Sequence, residues 1–403
     1  MKIGFFIQSY KKGGVDTFIE NLFSSQWKND KIIIIYNDKN PGIHYLKKKL
    51  KKVTFFSYSI FTFEELINKK NINIFLLFLF KILHSIFLPL TFIYQVKKTK
   101  LILEKIELDK LMIINGGYPG GDIALAAAIG WSKINYLNKA WVNFHNFAIK
   151  KYNLFLTDII KNYVDKVILK SVSGFISVSK ICSLSIKSRK NLHSANFVTI
   201  YNGHKLIKNT QNKINLKKKF NLNNKSKILM MLAEYDLRKG HEFIIRCMEK
   251  IIKKNKDVYL LIFGDGDKKM FHKMVLKSTA KKNIILNKFY NDRINLLSQA
   301  DIVVIPSQKY ESFGYVAIES MSKKKIVVAT KCGGLVEVVE NNKSGFLVNM
   351  NNIDLFVKKL FFLFSNPNIK KKMENAAYER YLKYFTAKKM ITSYQNLIKF
   401  NKI

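Results

Sequence analysis

Short apolar runs alternate with helix-patterned segments along the first half of the chain. These runs are rich in Ile, Val and Phe and predict strands at residues 3–7, 32–36, 53–58, 111–114, 141–144, 175–178 and 198–200. After a polar, lysine-rich stretch at 205–227, strands are expected again at 228–232, 258–263, 284–286, 302–305 and 326–329. Strands that alternate with helices are typical of mostly parallel α/β sheets.

Two α/β series in tandem indicate two domains. We expect a first Rossmann-like domain at residues 1–204, a second at 205–385, and a C-terminal helix at 386–403. The 403 residues, 48% of them hydrophobic, are enough for two cores. Open parallel sheets bind ligands beyond the carboxyl ends of their strands, so the pattern predicts a ligand cleft between the two sheets.

The most apolar stretch of the chain lies at residues 74–94 and includes Lys81, His84 and Pro89. Three interpretations stay open: a buried or half-buried helix pair, an interfacial membrane-binding segment, and a transmembrane helix. The lysine run at 47–52 and the nearby aromatics Phe55 and Phe61 favour the interfacial segment. Basic clusters beside exposed aromatic rings bind anionic bilayer surfaces.

The charge and the cysteines narrow the choice of partners and compartment. The net charge is +42, and only five of the 70 basic residues are arginine. This excess indicates either a lysine-coated soluble surface or an anionic partner: a nucleotide diphosphate, acidic lipid or nucleic acid. Cys182, Cys247 and Cys332 show neither disulfide nor zinc-site spacing, which indicates a reducing compartment.

We interpret the first residues of the chain as a buried strand, since their apolar run is too short for a signal peptide.

Two carboxylates stand eight residues apart, with Glu311 at the mouth of a predicted helix and Glu319 inside it. If that helix starts near Gly314, the carboxylates are about 12 Å apart at 1.5 Å per residue, too far for one acid/base pair. The spacing suits one extended ligand held at both ends, with an anionic group between them at the helix N-terminus. A sugar nucleotide has this shape.

Three further sites lie where predicted strands end. Gly13 and Gly14 follow the first strand, where backbone without Cβ can approach a phosphate or sugar, but no GxGxxG supports a dehydrogenase. Arg238 and Lys239 open a helix in the second domain, either to hold a diphosphate or as a solvated turn. His145 ends a strand of the first domain, either as a functional residue or hydrogen-bonded to a loop.

The segment Phe263-Gly264-Asp265-Gly266-Asp267 allows two interpretations. Its Asp-x-Asp pattern matches the carboxylate pair with which some sugar transferases hold a divalent metal. Alternatively, its glycines form a strand-to-helix turn whose backbone lies beside a nucleotide. The sequence contains no nucleophile elbow, zinc-protease helix or Walker lysine loop.

Taken in order, these motifs resemble the retaining glycosyltransferase family 4. The ordered set is Gly13-Gly14, His145, Asn202-Gly203, 238–241, 263–266, Pro306-Ser307, 311–319, Gly333-Gly334 with Glu337, and 344–348. The resemblance implies a GT-B fold, in which two Rossmann-like domains face each other across a cleft and the last helix crosses back to the first domain. It also implies a UDP- or GDP-sugar as donor substrate, with no cofactor and no catalytic metal.

The resemblance also implies roles for single residues. As catalytic residues, Glu311 would face the donor sugar, Lys239 would neutralise charge on the leaving diphosphate, and His145 would contact the sugar or acceptor. Glu319 would bind the ribose hydroxyls, and backbone amides the diphosphate. The implied binding set is Gly13, Gly14, Arg238, Lys239, Gly264, Phe313, Gly314, Tyr315 and Glu319.

One position departs from the family pattern. The family often has an arginine five residues before the lysine, and here that position is Glu234. We expect Arg238, the neighbour of Lys239, to supply the missing cation.

The expected partners follow from the resemblance and the charge. We expect a nucleotide-sugar donor, a glycan or lipid-linked acceptor of bacterial surface polysaccharide synthesis, and peripheral contact with an anionic membrane. The expected location is cytoplasmic, at the inner face of the cytoplasmic membrane, without nucleic acid. Two alternatives are a nucleotide-sugar epimerase of the same fold and, on charge alone, a basic nucleic-acid-binding protein.

Overall fold

The chain folds into two compact units. The structure is a computed structural model, and it describes residues 1–11, 13–24, 27, 29–67, 72–152, 154–206, 214–288, 290 and 292–400. Unit 1 comprises Met1–Tyr201 and Lys388–Ile403, and unit 2 comprises Asn202–Ala387. The lysine-rich stretch predicted to join the domains lies partly outside the described residues, at 207–213.

Unit 1 is built on a seven-stranded parallel sheet. Its strands are β1 (Lys2–Ile7), β2 (Lys31–Asn37), β3 (Thr54–Tyr58), β4 (Lys110–Asn115), β5 (Ala140–Phe144), β6 (Val172–Ser177) and β7 (Phe197–Thr199). They lie in the order β3-β2-β1-β4-β5-β6-β7, and every neighbouring pair is parallel. The seven strands predicted from apolar runs are confirmed.

Helices cover this sheet. They are α1 (Gly14–Leu22), α2 (Ile43–Lys49), α3 (Phe63–Ile67), α4 (Ile74–Ile106), α5 (Asp122–Ile134), α6 (Phe155–Ser171) and α7 (Lys180–Lys187). The last helix of the chain, α16 (Ala387–Phe400), belongs to this unit from Lys388 onward. Its Tyr394 hydroxyl accepts a hydrogen bond from Asn143 Nδ2 at 2.8 Å, and its ring lies 5.5 Å from that of Phe18.

The apolar stretch forms one helix, so of the three interpretations the helix pair is wrong. The α4 helix continues through Pro89 to Ile106. A proline inside a helix removes one backbone hydrogen bond. Beyond Ser85 one face of α4 is buried against α5. Gly130 of α5 lies so close to α4 that a Cβ on it would be 3.0 Å from the backbone nitrogen of Lys100. This packing stabilises a continuous helix. Among the described residues, α4 alone is long and apolar enough to cross a membrane, with a mean hydropathy of 2.1 over its most apolar 18 residues.

Unit 2 is built on a six-stranded parallel sheet. Its strands are β8 (Lys227–Leu232), β9 (Val258–Gly264), β10 (Ile284–Lys288), β11 (Ile302–Ile305), β12 (Val327–Thr330) and β13 (Gly345–Val348). The order is β10-β9-β8-β11-β12-β13, with parallel pairing throughout. The five strands predicted for this half are confirmed, and β13 adds a sixth at the edge.

The strand order of unit 2 reverses between β8 and β11. Its helices are α8 (Leu216–Lys219), α9 (His241–Lys254), α10 (Lys269–Lys277), α11 (Arg293–Ser298), α12 (Tyr315–Ser322), α13 (Leu335–Val338), α14 (Ile353–Ser365) and α15 (Pro367–Tyr384). In an open α/β sheet, the connections on either side of such a reversal diverge and leave a crevice beyond the carboxyl ends of the strands. The loops after β8 and β11 therefore flank the natural ligand position of unit 2.

Candidate active site

Lys239 and Glu311 meet at the point where the strand order of unit 2 reverses. Lys239 ends a short 3₁₀ turn (Leu237–Lys239) after β8, and Glu311 lies in the loop after β11. Lys239 Nζ is 2.6 Å from Glu311 Oε2, and the two side chains are only 18% and 14% exposed. The fold thus brings together two predicted catalytic residues that are 72 positions apart in the sequence.

Glycines let the neighbouring loops pack tightly around this pair. A Cβ on Gly240, whose φ is +80°, would come within 1.8 Å of the Pro306 carbonyl oxygen. A Cβ on Gly333, at φ +51°, would lie 2.0 Å from the Glu311 carbonyl oxygen, and that oxygen accepts the Gly334 amide at 2.7 Å. Packing against the loop after β12 therefore fixes the backbone of Glu311. Packing against the loop after β8 fixes the backbone at Pro306, at the start of the loop that carries Glu311.

Arg238 binds carboxylates of its own loop. Its Nε donates to Asp236 Oδ2 at 2.9 Å, and its Nη2 donates to Glu234 Oε2 at 3.3 Å. The guanidinium also lies over the ring of Tyr310, 5.2 Å from the ring centre, in the loop that carries Glu311. Arg238 is thus at the crevice edge of unit 2, but Glu234 stands beside it and adds negative charge where the family pattern has an arginine.

Glu319 lies inside α12, away from Lys239. Its side chain is 1% exposed, and Oε1 is 2.9 Å from Arg293 Nη2 and 3.8 Å from His204 Nε2. His204 is also held by its backbone, which exchanges hydrogen bonds with Phe385 and Ala387. The two carboxylates of the motif therefore have different cationic neighbours.

The predicted diphosphate position is the start of α12. Gly314 is the N-cap residue of this helix with φ +106°, and a Cβ there would lie 2.7 Å from Leu335 Cδ2. Phe313 is buried, with its ring 5.9 Å from that of Phe385. The prediction that the helix begins near Gly314 is confirmed, and Tyr315 is its first residue. A helix N-terminus presents amides and a partial positive charge to an anion.

The Asp-Gly-Asp segment forms a turn at the end of β9. A Cβ on Gly264 would lie 1.9 Å from the Ala233 carbonyl oxygen, so the strand and the loop after β8 are in close contact. Asp265 accepts the Gly266 amide and Asp267 accepts the Lys269 amide, each at 2.9 Å. Over the described part of the chain, no group of three or more His, Cys, Asp or Glu side chains is placed to hold a metal ion.

The remaining candidates, His145, Gly13 and Gly14, belong to unit 1. His145 follows β5, and its ring lies 4.2 Å from that of Phe18. Burial lowers the pKa of His145 to about 3, so the imidazole is neutral at physiological pH. Its Nε2 has no hydrogen-bond partner among the described residues. A neutral imidazole of this kind can hydrogen-bond a sugar hydroxyl.

The packing of unit 1 does not require the glycine pair. A Cβ on Gly13 or Gly14 would meet no heavy atom of the described residues within 4 Å. Gly13 precedes α1 and donates its amide to Asp16 Oδ2 at 2.7 Å. A role for these glycines in ligand approach therefore stays a prediction.

No sequence motif marks Arg293 as a candidate site residue. It lies at the start of α11, after β10, and is one of the chain's few arginines. Its position beyond the carboxyl end of a predicted strand was the available signal. The pairing with Glu319 becomes apparent only in three dimensions.

A family comparison agrees with this geometry. Residues 212–380 match the family model of glycosyl transferases group 1. That range contains β8 to β13 and the Lys239, Glu311 and Glu319 positions. The second unit therefore contains the part of the chain that is similar to group 1 glycosyl transferases.

Curated relatives match part of the chain. An uncharacterized glycosyltransferase of Methanocaldococcus jannaschii is 28% identical over 232 residues, which cover 55% of this chain and 59% of that protein. A poly(ribitol-phosphate) alpha-N-acetylglucosaminyltransferase of Staphylococcus aureus is 24% identical, over 56% of this chain and 44% of that protein. The matched segment thus spans about half the length of these relatives.

Solved structures match the chain over its whole length. The Anabaena protein HepE, in complex with UDP-glucose, superposes with a TM-score of 0.73 and covers 99% of both chains at 17% identity. At this identity the likeness shows the fold alone. With its two parallel sheets and interleaved helices, the chain has the GT-B fold.

Proposed function

We propose that this chain is a retaining glycosyltransferase of family 4 that transfers a sugar from a nucleoside diphosphate donor to a glycan or lipid-linked acceptor. The observation that carries the proposal is the Lys239–Glu311 ion pair at the strand-order reversal of a group 1 domain. A cation and a carboxylate at this point suit the two parts of such a donor, the diphosphate and the sugar.

The proposed transfer proceeds on one face of the sugar. The bond between the anomeric carbon and the diphosphate oxygen breaks, and its electron pair stays with that oxygen. The acceptor hydroxyl forms the new bond on the same face, and its proton passes to the departing phosphate oxygen. Lys239 and the N-terminus of α12 stabilise the negative charge that develops there. Glu311 positions the donor sugar and favours its developing positive charge.

The proposed ribose site at Glu319 includes Arg293. The Glu319 carboxylate is almost fully buried and paired to this arginine. Ribose hydroxyls would therefore bind beside the guanidinium or in its place. In unit 1, we assign His145 to a hydroxyl of the donor sugar or the acceptor, because its neutral ring can both donate and accept a hydrogen bond.

The proposal extends to donor, metal and location. The donor is UDP- or GDP-linked, in keeping with the UDP-glucose bound to HepE. Lys239 provides a cation at the leaving group, and the transfer is proposed to need no metal. We place the reaction at the cytoplasmic face of the membrane, in the synthesis of a surface polysaccharide. The poly(ribitol-phosphate) transferase among the relatives supports an acceptor of this kind.

A donor screen tests the proposal. Purified protein is heated with UDP, GDP, ADP and their sugar conjugates, and the unfolding midpoint Tm is measured. A nucleotide at about 100 times its Kd is expected to raise Tm by about 5 °C. Lys239→Ala should abolish that increase, whereas Lys256→Ala, on the opposite edge of the sheet, should retain it. If no nucleotide shifts Tm while DNA does, the transferase proposal is wrong.

A further inference from the structure

The N-terminal end of α4 is exposed and apolar. Ile74 is 83% exposed, Phe75 70% and Phe78 59%, and no residue of the helix ahead of Ser85 is buried. The projecting segment, residues 74–84, is about 16 Å long at 1.5 Å per residue. Isolated apolar side chains are common on protein surfaces, but a whole helix end of this kind is not.

The α6 helix exposes a second apolar stripe beside it. Phe155 is 80% exposed, Ile159 50% and Tyr163 67%. Their spacing of four residues places them on one side of the helix. The hydroxyls of Ser85 on α4 and Thr157 on α6 are hydrogen-bonded, which brings the two exposed regions next to each other.

A third segment extends this apolar surface. The ring of Phe61, which is 52% exposed, lies 5.3 Å from that of Phe63, and Phe63 stacks on Phe87 of α4 at 6.5 Å. Three parts of unit 1 thus contribute to one surface, here called the α4–α6 face. It is represented by Phe61, Phe75, Phe78, Phe87, Phe155 and Ile159.

The rest of α4 packs against other elements of unit 1 and therefore cannot enter a membrane. From Ser85 to Ile106, one side of the helix is buried against neighbouring elements. At the junction, His84 Nε2 is 3.5 Å from Asp122 Oδ2, and Asp122 is ion-paired with Lys161. A span needs about 30 Å of apolar helix, and charged groups are costly inside a bilayer. The projecting 16 Å or so reaches about the depth of one leaflet.

Exposed lysines lie on and next to the helices that form the α4–α6 face. Lys81 is exposed within the projecting segment, and Lys150 and Lys151 are exposed just before α6. Farther along the same two helices, Lys97 and Lys166 are also exposed. Apolar groups bordered by lysines complement the acyl region and the anionic head groups of a bilayer.

We propose that the α4–α6 face binds the surface of an anionic lipid bilayer, with residues 74–84 inserted into one leaflet. The aromatic rings and Ile159 enter the acyl boundary, and the lysines remain with the head groups. This binding does not rest on the proposed transfer reaction, because neither donor nor acceptor takes part. It places unit 1 where a lipid-linked acceptor would be available.

Vesicle flotation tests the proposal with the full chain. Vesicles of phosphatidylcholine with about 30% phosphatidylglycerol are expected to bind the protein, and pure phosphatidylcholine to bind it more weakly. The variant Phe75→Ser/Phe78→Ser/Phe155→Ser should lose at least about tenfold in affinity. A matched variant of equally exposed residues elsewhere, Tyr136→Ser/Leu137→Ser/Leu184→Ser, should bind like the unaltered protein. Tm and the nucleotide-induced shift should be unchanged in both.

Three results would overturn this proposal. The face variant could bind as well as the matched variant, the bound protein could resist extraction at alkaline pH as spanning proteins do, or the face variant could convert a dimer to a monomer. A second measurement tests the proposal if the face variant fails to fold. Phe78→Trp fluorescence should be quenched by bromolipids in the vesicles, and unchanged fluorescence would also contradict the insertion.

Discussion

At the scale of single residues, the cations of unit 2 differ in what they neutralise. Lys239 is paired with Glu311, Arg293 with Glu319, and Arg238 with Asp236 and Glu234. Each cation is thus close to a carboxylate of the chain itself. An anionic ligand therefore competes with these carboxylates, and the gain on binding depends on how readily each cation reorients.

The first prediction concerns Arg238 as the substitute for the arginine absent at Glu234. If Arg238 contacts the diphosphate as proposed, Arg238→Ala removes a charge-assisted contact and is expected to raise KM for the donor about tenfold. Steady-state kinetics with varied donor measure this. Arg246→Ala is the matched control, since Arg246 is paired with Glu242 on the exposed side of α9. Equal KM values for the two variants would show that Arg238 does not replace that arginine.

The position of some candidate residues in the fold could be predicted from the sequence for a physical reason. Glu311, Lys239 and Gly314 follow strands or open helices, so their place at the carboxyl edge follows from the α/β pattern. The partners of Glu319 could not be predicted in this way. Arg293 and His204 approach it from segments that are distant in the chain, and only packing decides which side chains of neighbouring loops meet.

At the scale of elements, the strand positions were predictable because strands buried on both faces are continuous apolar runs. The exception is β13, whose first residue is a glycine, a residue that is depleted in strands. The α4 helix is continuous through Pro89, unlike in the helix-pair interpretation. A proline predicts a break from local sequence, whereas burial against α5 keeps the helix continuous.

The second prediction concerns the ion pair that joins α11 to α12. Arg293→Ala leaves the Glu319 carboxylate buried without that cation, so the free energy of unfolding should fall by about 2 kcal/mol. In a double-mutant cycle with Glu319→Gln, the coupling energy should be about 1–2 kcal/mol. Urea unfolding monitored by fluorescence measures each variant.

An exposed pair provides the control for this cycle. Arg246 Nη2 and Glu242 Oε1 are 2.6 Å apart on α9, and both side chains are more than half exposed. Their coupling energy should stay below about 0.5 kcal/mol. If the Arg293–Glu319 coupling is as small, the pair does not hold α11 to α12.

At the scale of the whole molecule, the two units differ in the candidate binding surfaces that they contain. Unit 2 contains the charged crevice and the match to group 1 glycosyltransferases. Unit 1 contains His145, the glycine pair and the α4–α6 face, outside the matched range. The α/β class of both units could be predicted from alternation alone. The exposure of one apolar helix end could not, because composition is the same for a buried and an exposed helix.

Turnover of the donor sugar tests the central claim most directly. With the donor found in the screen and a lipid-linked or glycan acceptor, kcat is measured for the unaltered protein, Glu311→Gln, Lys239→Ala and the control Lys256→Ala. The proposed roles predict that the two site variants lose at least about 100-fold in kcat while remaining folded, and that the control retains its rate. Near-normal kcat in either site variant would contradict the assignment of the Lys239–Glu311 pair as the catalytic centre.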